Sequence, residues 1–274
     1  MKERCLKGSY QIALFIILLF CTIVAAHDLF LNANTFILQK PGPVTLSMNL
    51  AESFPGEEVT WRTEKTIKFQ FIGPGIQQEL TVNKGSNPTL KFERIGTYLV
   101  VWESSPSYIE IEPDVFNKYI NSEGYKNVIQ SRALKGQLKV PGREKYNRFL
   151  KCVLQVGSDR TAEYGKILGQ KIELVPQENP YSIQIESELP VRLLFDGKPL
   201  SDARVMATYD SFSKEHDVYA HTLQTNADGI ARVPIDHSGL WMIRTNHMVP
   251  LKGDPKADWE SYWTNVTFYV AAQK

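Results

Sequence analysis

The feature that most constrains the fold is a series of short β-branched and aromatic runs after residue 180, separated by turn residues. Runs such as 189–195 and 230–235 have the length and composition of strands. Between two of them, the sequence Asn-Ala-Asp-Gly at 226–229 is typical of a tight hairpin, because glycine tolerates the positive φ that such turns require. About seven such strands within about 90 residues predict an antiparallel β-sandwich over residues 181–274.

The preceding part of the chain, residues 27–178, is also rich in predicted strands but contains one helical stretch. Apolar spacing of three and four over 113–135, an opening Pro-Asp and a final glycine predict a helix, or two helices broken at Gly124. Residues 143–156 suit either a helix or a strand. The polar turn at 176–180 predicts a boundary, so we expect a mostly β protein. It would have two antiparallel β-sandwich domains, Ig-like or transthyretin-like, with a short helical insertion in the first.

Residues 1–26 have the three-part pattern of a secretory signal peptide. Three basic residues stand among the first seven, residues 12–26 carry no charge, and small side chains precede His27. The apolar stretch is shorter than the roughly 20 residues of a spanning helix, which favours cleavage after Ala26 over a retained anchor. We therefore expect a periplasmic or secreted protein with no integral membrane span after processing.

Charge and cysteine content narrow the possibilities further. The 31 basic and 30 acidic residues leave no charge excess, and nothing points to nucleic acid as a partner. Cleavage would leave Cys152 alone, without an intramolecular disulfide, and its apolar neighbours predict a buried thiol. The sequence contains no G-x-S-x-G elbow, phosphate-binding loop, H-E-x-x-H helix or dinucleotide fingerprint, so we expect no enzymatic activity.

The most specific chemical signal is His27, which cleavage would leave as the first residue. A terminal histidine offers its α-amine and its Nδ1 to a single metal ion, and an amine pKa of about 7.7–8.0 permits binding near neutrality. His247, at the end of a predicted strand, is the candidate third nitrogen ligand, with Asp258 and Glu260 as oxygen ligands or as partners that orient an imidazole. The alternative is that both histidines are ordinary surface residues.

The other histidines and an aromatic cluster have less specific interpretations. His216 and His221 flank residues 217–220; His221 is predicted to be a solvated strand residue, and His237 a turn residue. Trp259, Tyr262 and Trp263 suit packing in the core or at an interface better than stacking on a sugar.

Several segments together carry a family resemblance: 26–31, 96–100, 116–119 with Gly124 and Arg132, 144–151, 174–176 with Asn179 and Pro180, 193–199, 225–229, 239–247, and Asp258 with Trp259. On these segments the chain resembles a family of bacterial exported proteins with a domain of unknown function, filed as periplasmic components of cobalt and nickel uptake (NikM-like). Residues 197–244 also resemble a carboxypeptidase-regulatory or transthyretin-like sandwich.

The resemblance implies a non-catalytic periplasmic protein that binds nickel or cobalt and delivers it to a membrane metal transporter, with His27 and His247 as the positions carried over. Nickel uptake proteins often place histidine second or third from the terminus. Here the histidine would be first, and this difference makes a copper histidine brace, as in CopC-like carriers, a competing interpretation. Two alternatives stay open: a β-sandwich module that binds a protein or glycan through the aromatic cluster, and a copper brace enzyme that acts on polysaccharide.

Overall fold

The computed structural model describes residues 27–272, so the predicted signal peptide lies outside the described residues. The described chain is mostly β-structure with two α-helices, as the sequence predicts. The strands are β1 (Asp28–Ala33), β2 (Ile37–Leu38), β3 (Gly42–Ala51), β4 (Glu57–Val59), β5 (Thr66–Gly73), β6 (Ile76–Glu79), β7 (Thr89–Phe92), β8 (Gly96–Ser104), β9 (Ser107–Ile111), β10 (Gly142–Val156), β11 (Ile172–Pro176), β12 (Ser187–Phe195), β13 (Lys198–Pro199), β14 (Arg204–Tyr209), β15 (His221–Gln224), β16 (Ile230–Ile235), β17 (Gly239–Pro250) and β18 (Trp259–Val270). The helices are α1 (Pro113–Ser122) and α2 (Lys126–Leu134), with short 3₁₀ turns at Thr63–Lys65, Ala162–Gly165 and Pro180–Ser182.

A ten-stranded sheet runs through the described chain in the order β15-β14-β17-β18-β10-β8-β5-β6, and β2 and β9 also pair with β10. Its centre is the parallel pair of β10 and β18, which runs from Glu144 beside Trp259 to Cys152 beside Thr267. The strands of β10 and β18 come from opposite sides of the predicted boundary at 178–181, so one continuous sheet contains strands from both predicted domains. The domain division, and the Ig-like character of each part, stay predictions.

Two smaller four-stranded sheets accompany the central one: β1-β3-β4 with β7, and β11-β12-β13 with β16. Successive side chains along a strand of the central sheet point toward one smaller sheet and then toward the other, because β-strands are pleated. On β17, Leu240 and Met242 pack in the cluster that contains β1 and β3, whereas Trp241 and Ile243 pack in the cluster that contains β12 and β16. The central sheet therefore separates two hydrophobic clusters.

The predicted helical insertion is confirmed as two helices broken at Gly124, whose φ of 81° lies in the left-handed region that favours glycine. Phe116 and Ile120 of α1 pack with Trp259 and Trp263 of the central sheet. No helix within residues 27–272 combines the length and apolar character needed to cross a membrane.

Residues 143–156, which suited either a helix or a strand, lie in the longest strand of the structure, β10. Cys152 on this strand is fully buried, in agreement with its predicted role as a small core side chain, and it is the only cysteine within residues 27–272.

Candidate functional site

The first strand places His27 and Asp28 at one end of the smaller sheet. Asp28 stands opposite Ala51 of β3, so the neighbouring His27 lies beside Glu52 at the end of the same strand pair. The Arg148 Nη2 of β10 donates a hydrogen bond of 3.1 Å to the His27 carbonyl oxygen. Backbone pairing and this bond together fix the position from which the His27 side chain projects.

His27 lies against a second histidine, His216, from the loop between β14 and β15. The two imidazole centroids are 5.5 Å apart and the rings meet edge to face, at 68°. His27 Nε2 lies 3.2 Å from Glu52 Oε1, and His216 Nδ1 lies 2.9 Å from Asp217 Oδ2. Each ring therefore has one nitrogen on a carboxylate, which leaves His27 Nδ1 and His216 Nε2. An imidazole whose outer nitrogen is held by a carboxylate is the usual arrangement around a metal-binding histidine.

The loop that carries His216 is tied to β1 through Asp28. Tyr219 Oη donates to Asp28 Oδ2 at 2.8 Å, only three residues from His216. Asp217 has a φ of 57°, and burial raises the pKa of its carboxyl group while the neighbouring His216 lowers it. The loop conformation is thus anchored by the residue that follows His27 in sequence.

A buried ionic network lies beneath these residues. Arg244 Nε donates to Asp28 Oδ1 and Arg244 Nη1 to Glu123 Oε2, both at 2.8 Å, and Asn246 Nδ2 also donates to Glu123 at 2.8 Å. Burial alone lowers the pKa of Arg244, but the two carboxylates outweigh it and hold that pKa well above its usual value. The guanidinium therefore stays charged and links β1 and β17 to Glu123, the residue that follows α1.

The structure does not bring His247 beside His27. His247 packs on Phe195, with ring centroids 4.8 Å apart, and burial lowers its pKa. It lies on the face of β17 opposite to Arg244, because residues three apart on a strand point to opposite sides. Since Arg244 contacts Asp28, the central sheet separates His247 from the first strand.

The two predicted oxygen ligands are engaged by cations. Arg143 binds Asp258 through two nitrogens, at 2.9 Å and 2.7 Å, and these hydrogen bonds lower the pKa of Asp258. Lys145 Nζ lies 2.8 Å from Glu260 Oε1. Within residues 27–272, no group of three or more histidine, cysteine, aspartate or glutamate side chains is placed to hold a metal ion.

The aromatic cluster is part of the core. Trp259, Tyr262 and Trp263 are 2%, 7% and 3% exposed, and Trp263 stacks on Tyr119 with parallel rings. These contacts agree with the prediction that the cluster packs in the core, and they leave little aromatic surface for a sugar.

Sequence reasoning missed His216 and Glu52 as neighbours of His27. The sequence analysis assigned no role to His216, which lies in the loop between β14 and β15 and faces the first strand. The two histidines are far apart in the sequence, and no local spacing signals their contact. In the sequence, an aspartate follows both His27 and His216, but of the two only Asp217 contacts the histidine that precedes it.

Fold and site together define a mostly β protein in which His27, the residue before the first strand, pairs with His216, and each histidine has a carboxylate beside it. Over residues 24–249 the sequence matches the family described as "Domain of unknown function (DUF4198)", and the chain belongs to that family. No curated protein sequence matches the chain.

Two solved structures are similar over most of the chain. The D0-D1 domain of intimin is 10% identical with a TM-score of 0.21, covering 88% of this chain and 97% of that one. The three N-terminal domains of the bacteriophage RB49 highly immunogenic outer capsid protein (Hoc) are 9% identical with a TM-score of 0.19, covering 89% and 59%. Likenesses at these TM-scores bear on neither fold nor function.

Proposed function

We propose that this protein is an exported, non-catalytic carrier of a divalent transition metal, nickel or cobalt, with copper as an alternative. In the chain cleaved after Ala26, His27 binds the metal through its α-amine and Nδ1, and His216 supplies a third nitrogen through Nε2. The observation that carries the proposal is the 5.5 Å contact of the two rings, each with one nitrogen on a carboxylate.

The ring separation fits a shared metal ion. An ion about 2.0–2.1 Å from one nitrogen of each ring separates the centroids by about 4.5 Å for ligands at a right angle and about 6.4 Å for opposite ligands. The observed 5.5 Å lies within that range. Three neutral nitrogen donors suit Cu(II), Ni(II) and Co(II), while Glu52 and Asp217 fix ring orientation and add negative charge nearby.

This ligand set differs from the one that the sequence predicts. His216 replaces His247, and the carboxylates of Glu52 and Asp217 take the orienting role expected of Asp258 and Glu260. His247 contacts an aromatic ring, and Asp258 and Glu260 contact cations. These contacts give no support to the metal-binding roles predicted for the three residues.

Delivery to a membrane transporter, and a periplasmic location, rest on the sequence resemblance to NikM-like proteins and on the signal-peptide pattern of residues 1–26. A carrier must release its metal, and a site formed by a loop and a chain terminus can open without unfolding the core. His216 has a side chain 45% exposed, which gives a membrane partner access to the ion.

The test is calorimetric titration of Ni(II), Co(II) and Cu(II) into protein that begins at His27. We expect one-to-one binding that is lost when one extra residue precedes His27, because the α-amine then becomes a peptide nitrogen. His216→Ala should weaken binding at least about tenfold, which corresponds to about 1.4 kcal/mol. The exposed His237 provides a matched control, and His237→Ala should bind as the parent does.

His247→Ala separates the two ligand sets. Loss of binding in His247→Ala with retention in His216→Ala would favour the set predicted from sequence and refute the one proposed here. Equal binding by the parent and the extended protein would refute terminal chelation altogether.

A further inference from the structure

A cavity of about 370 Å³ lies between the first strands and the central sheet, with Arg148 in its lining. Its apolar lining includes Leu29, Met48, Trp61 and Trp102. Both indole nitrogens already donate, from Trp61 to Asn87 and from Trp102 to Thr66, so these rings offer the cavity apolar surface. The volume lies in the usual range for a small-molecule site.

Arg148 gives this cavity a buried positive charge. The residue is 7% exposed, and its guanidinium lies over the rings of Tyr146 and Trp263. Its Nη2 donates to the His27 carbonyl, whereas Nε and Nη1 have no hydrogen-bond partner within residues 27–272. Among those residues no carboxylate comes within 4.0 Å of it, in contrast to Arg244, which binds Asp28 and Glu123.

A buried guanidinium without a carboxylate is unfavourable, because desolvation is not offset by an ion pair. The planar fork of arginine nitrogens matches a carboxylate with two parallel hydrogen bonds. Ser104 lines the same cavity and accepts from the Arg148 backbone N–H, so its own hydroxyl proton can be donated.

The rim of the cavity is also positive. Arg62, Lys65 and Lys84 line it with only one acid, Glu64. Clefts lined by one sign of charge attract ligands of the opposite sign and favour their entry.

We propose that this cavity binds an organic anion with a flat apolar body, of the aromatic carboxylate class. Arg148 and Ser104 hold the carboxylate, and the apolar body packs against Trp61 and Trp102. The site does not depend on the proposed metal site, because the side chains of His27 and His216 do not line it.

The test uses protein with one extra residue before His27, in which terminal metal chelation is blocked, so that failure of one proposal leaves the other intact. Calorimetry compares 2-naphthylacetate with its neutral analogue 2-naphthylacetamide and with sulfate. We expect a Kd below about 1 mM for the carboxylate and binding at least about tenfold weaker for the amide and for sulfate. Absence of carboxylate binding in this range, equal binding of the amide, or equally tight binding of sulfate would each overturn the proposal.

Two variants locate the site. Arg148→Gln should abolish binding of 2-naphthylacetate, and Arg232→Gln, which removes an exposed arginine on β16, should leave the affinity unchanged. Because Arg148 is buried, the exposed Lys84→Glu provides a second variant, and we expect it to weaken binding by reversing a rim charge. Unchanged affinity in Lys84→Glu, or in a folded Arg148→Gln, contradicts the assignment of the site.

Discussion

Glu144, near the start of β10, provides a sharp test of the electrostatics of the core. The residue is 2% exposed, and its Oε1 accepts hydrogen bonds from Ser261 Oγ and, at 3.2 Å, from Tyr119 Oη. Burial raises its pKa from 4.5 to about 7, although the two hydroxyl donors and the charge of Arg148 oppose the rise. In the folded protein this buried carboxyl group is therefore mostly neutral below a pH of about 7.

This shift links stability to pH with a definite sign. Between pH 4.5 and about 7 the folded protein retains a proton that the unfolded chain has released. The stabilisation from this proton is fully present below pH 4.5, declines as the pH rises and is lost above about 7. At 1.36 kcal/mol per pH unit, the difference between the two pKa values amounts to about 3 kcal/mol.

Glu144→Gln removes the ionisation while it keeps the volume and an oxygen that can accept from both hydroxyls. We expect the stability of the variant relative to the parent to increase between pH 4.5 and 8, by up to about 3 kcal/mol. Urea unfolding at several pH values in this range measures the free energy of unfolding of both proteins. In the difference between the two, the contributions of all other titrating groups cancel.

Glu178→Gln serves as the matched control, because Glu178 is exposed and the same charge is removed from the surface. Its stability relative to the parent should change little over the range. A difference between Glu144→Gln and the parent that is independent of pH, or that decreases as the pH rises, would refute the assignment of Glu144 as a buried neutral acid.

Three further predictions concern other buried residues. Lys151 and Glu173, 0% and 1% exposed, form a 2.7 Å ion pair, so Lys151→Met or Glu173→Leu alone should cost about 3–5 kcal/mol. The double variant should cost less than the two losses combined; urea unfolding checks this, and additive losses contradict it. Burial raises the pKa of the Cys152 thiol to about 12, so an aromatic disulfide reagent should label it only on unfolding, and rapid labelling of native protein contradicts this. A Cβ at Gly142 overlaps the Phe116 ring, so Gly142→Ala should destabilise by about 1–3 kcal/mol and lower the Tm; an unchanged Tm contradicts it.

Local patterns in the sequence predicted elements well where the chain has one buried face or a specific turn. The tight turn at 226–229 forms as expected, with Gly229 at a φ of 72° and its N–H donating to the Asn226 carbonyl. The predicted hairpin is wrong, because this turn joins β15, which pairs with β14, to β16, which pairs with β12 in another sheet. The helices around Gly124 also follow from periodicity and from the glycine. In contrast, β10 was ambiguous because it is buried on both faces, and a strand of that kind does not alternate between apolar and polar residues.

The candidate site shows where such patterns stop being informative. The chemistry of His27 is local, because a terminal chelate needs only one residue, and the sequence therefore indicated it. Its partner is set by the pairing of β1 with β3 and by a loop anchored through Tyr219 and Asp28. The second of these contacts joins residues 191 positions apart. The sequence favoured His247 because it follows a clear strand, yet the pleat of that strand turns its side chain to the opposite face of the central sheet. A ligand predicted at the end of a strand therefore depends on strand parity, and one residue of difference decides which of two cores it faces.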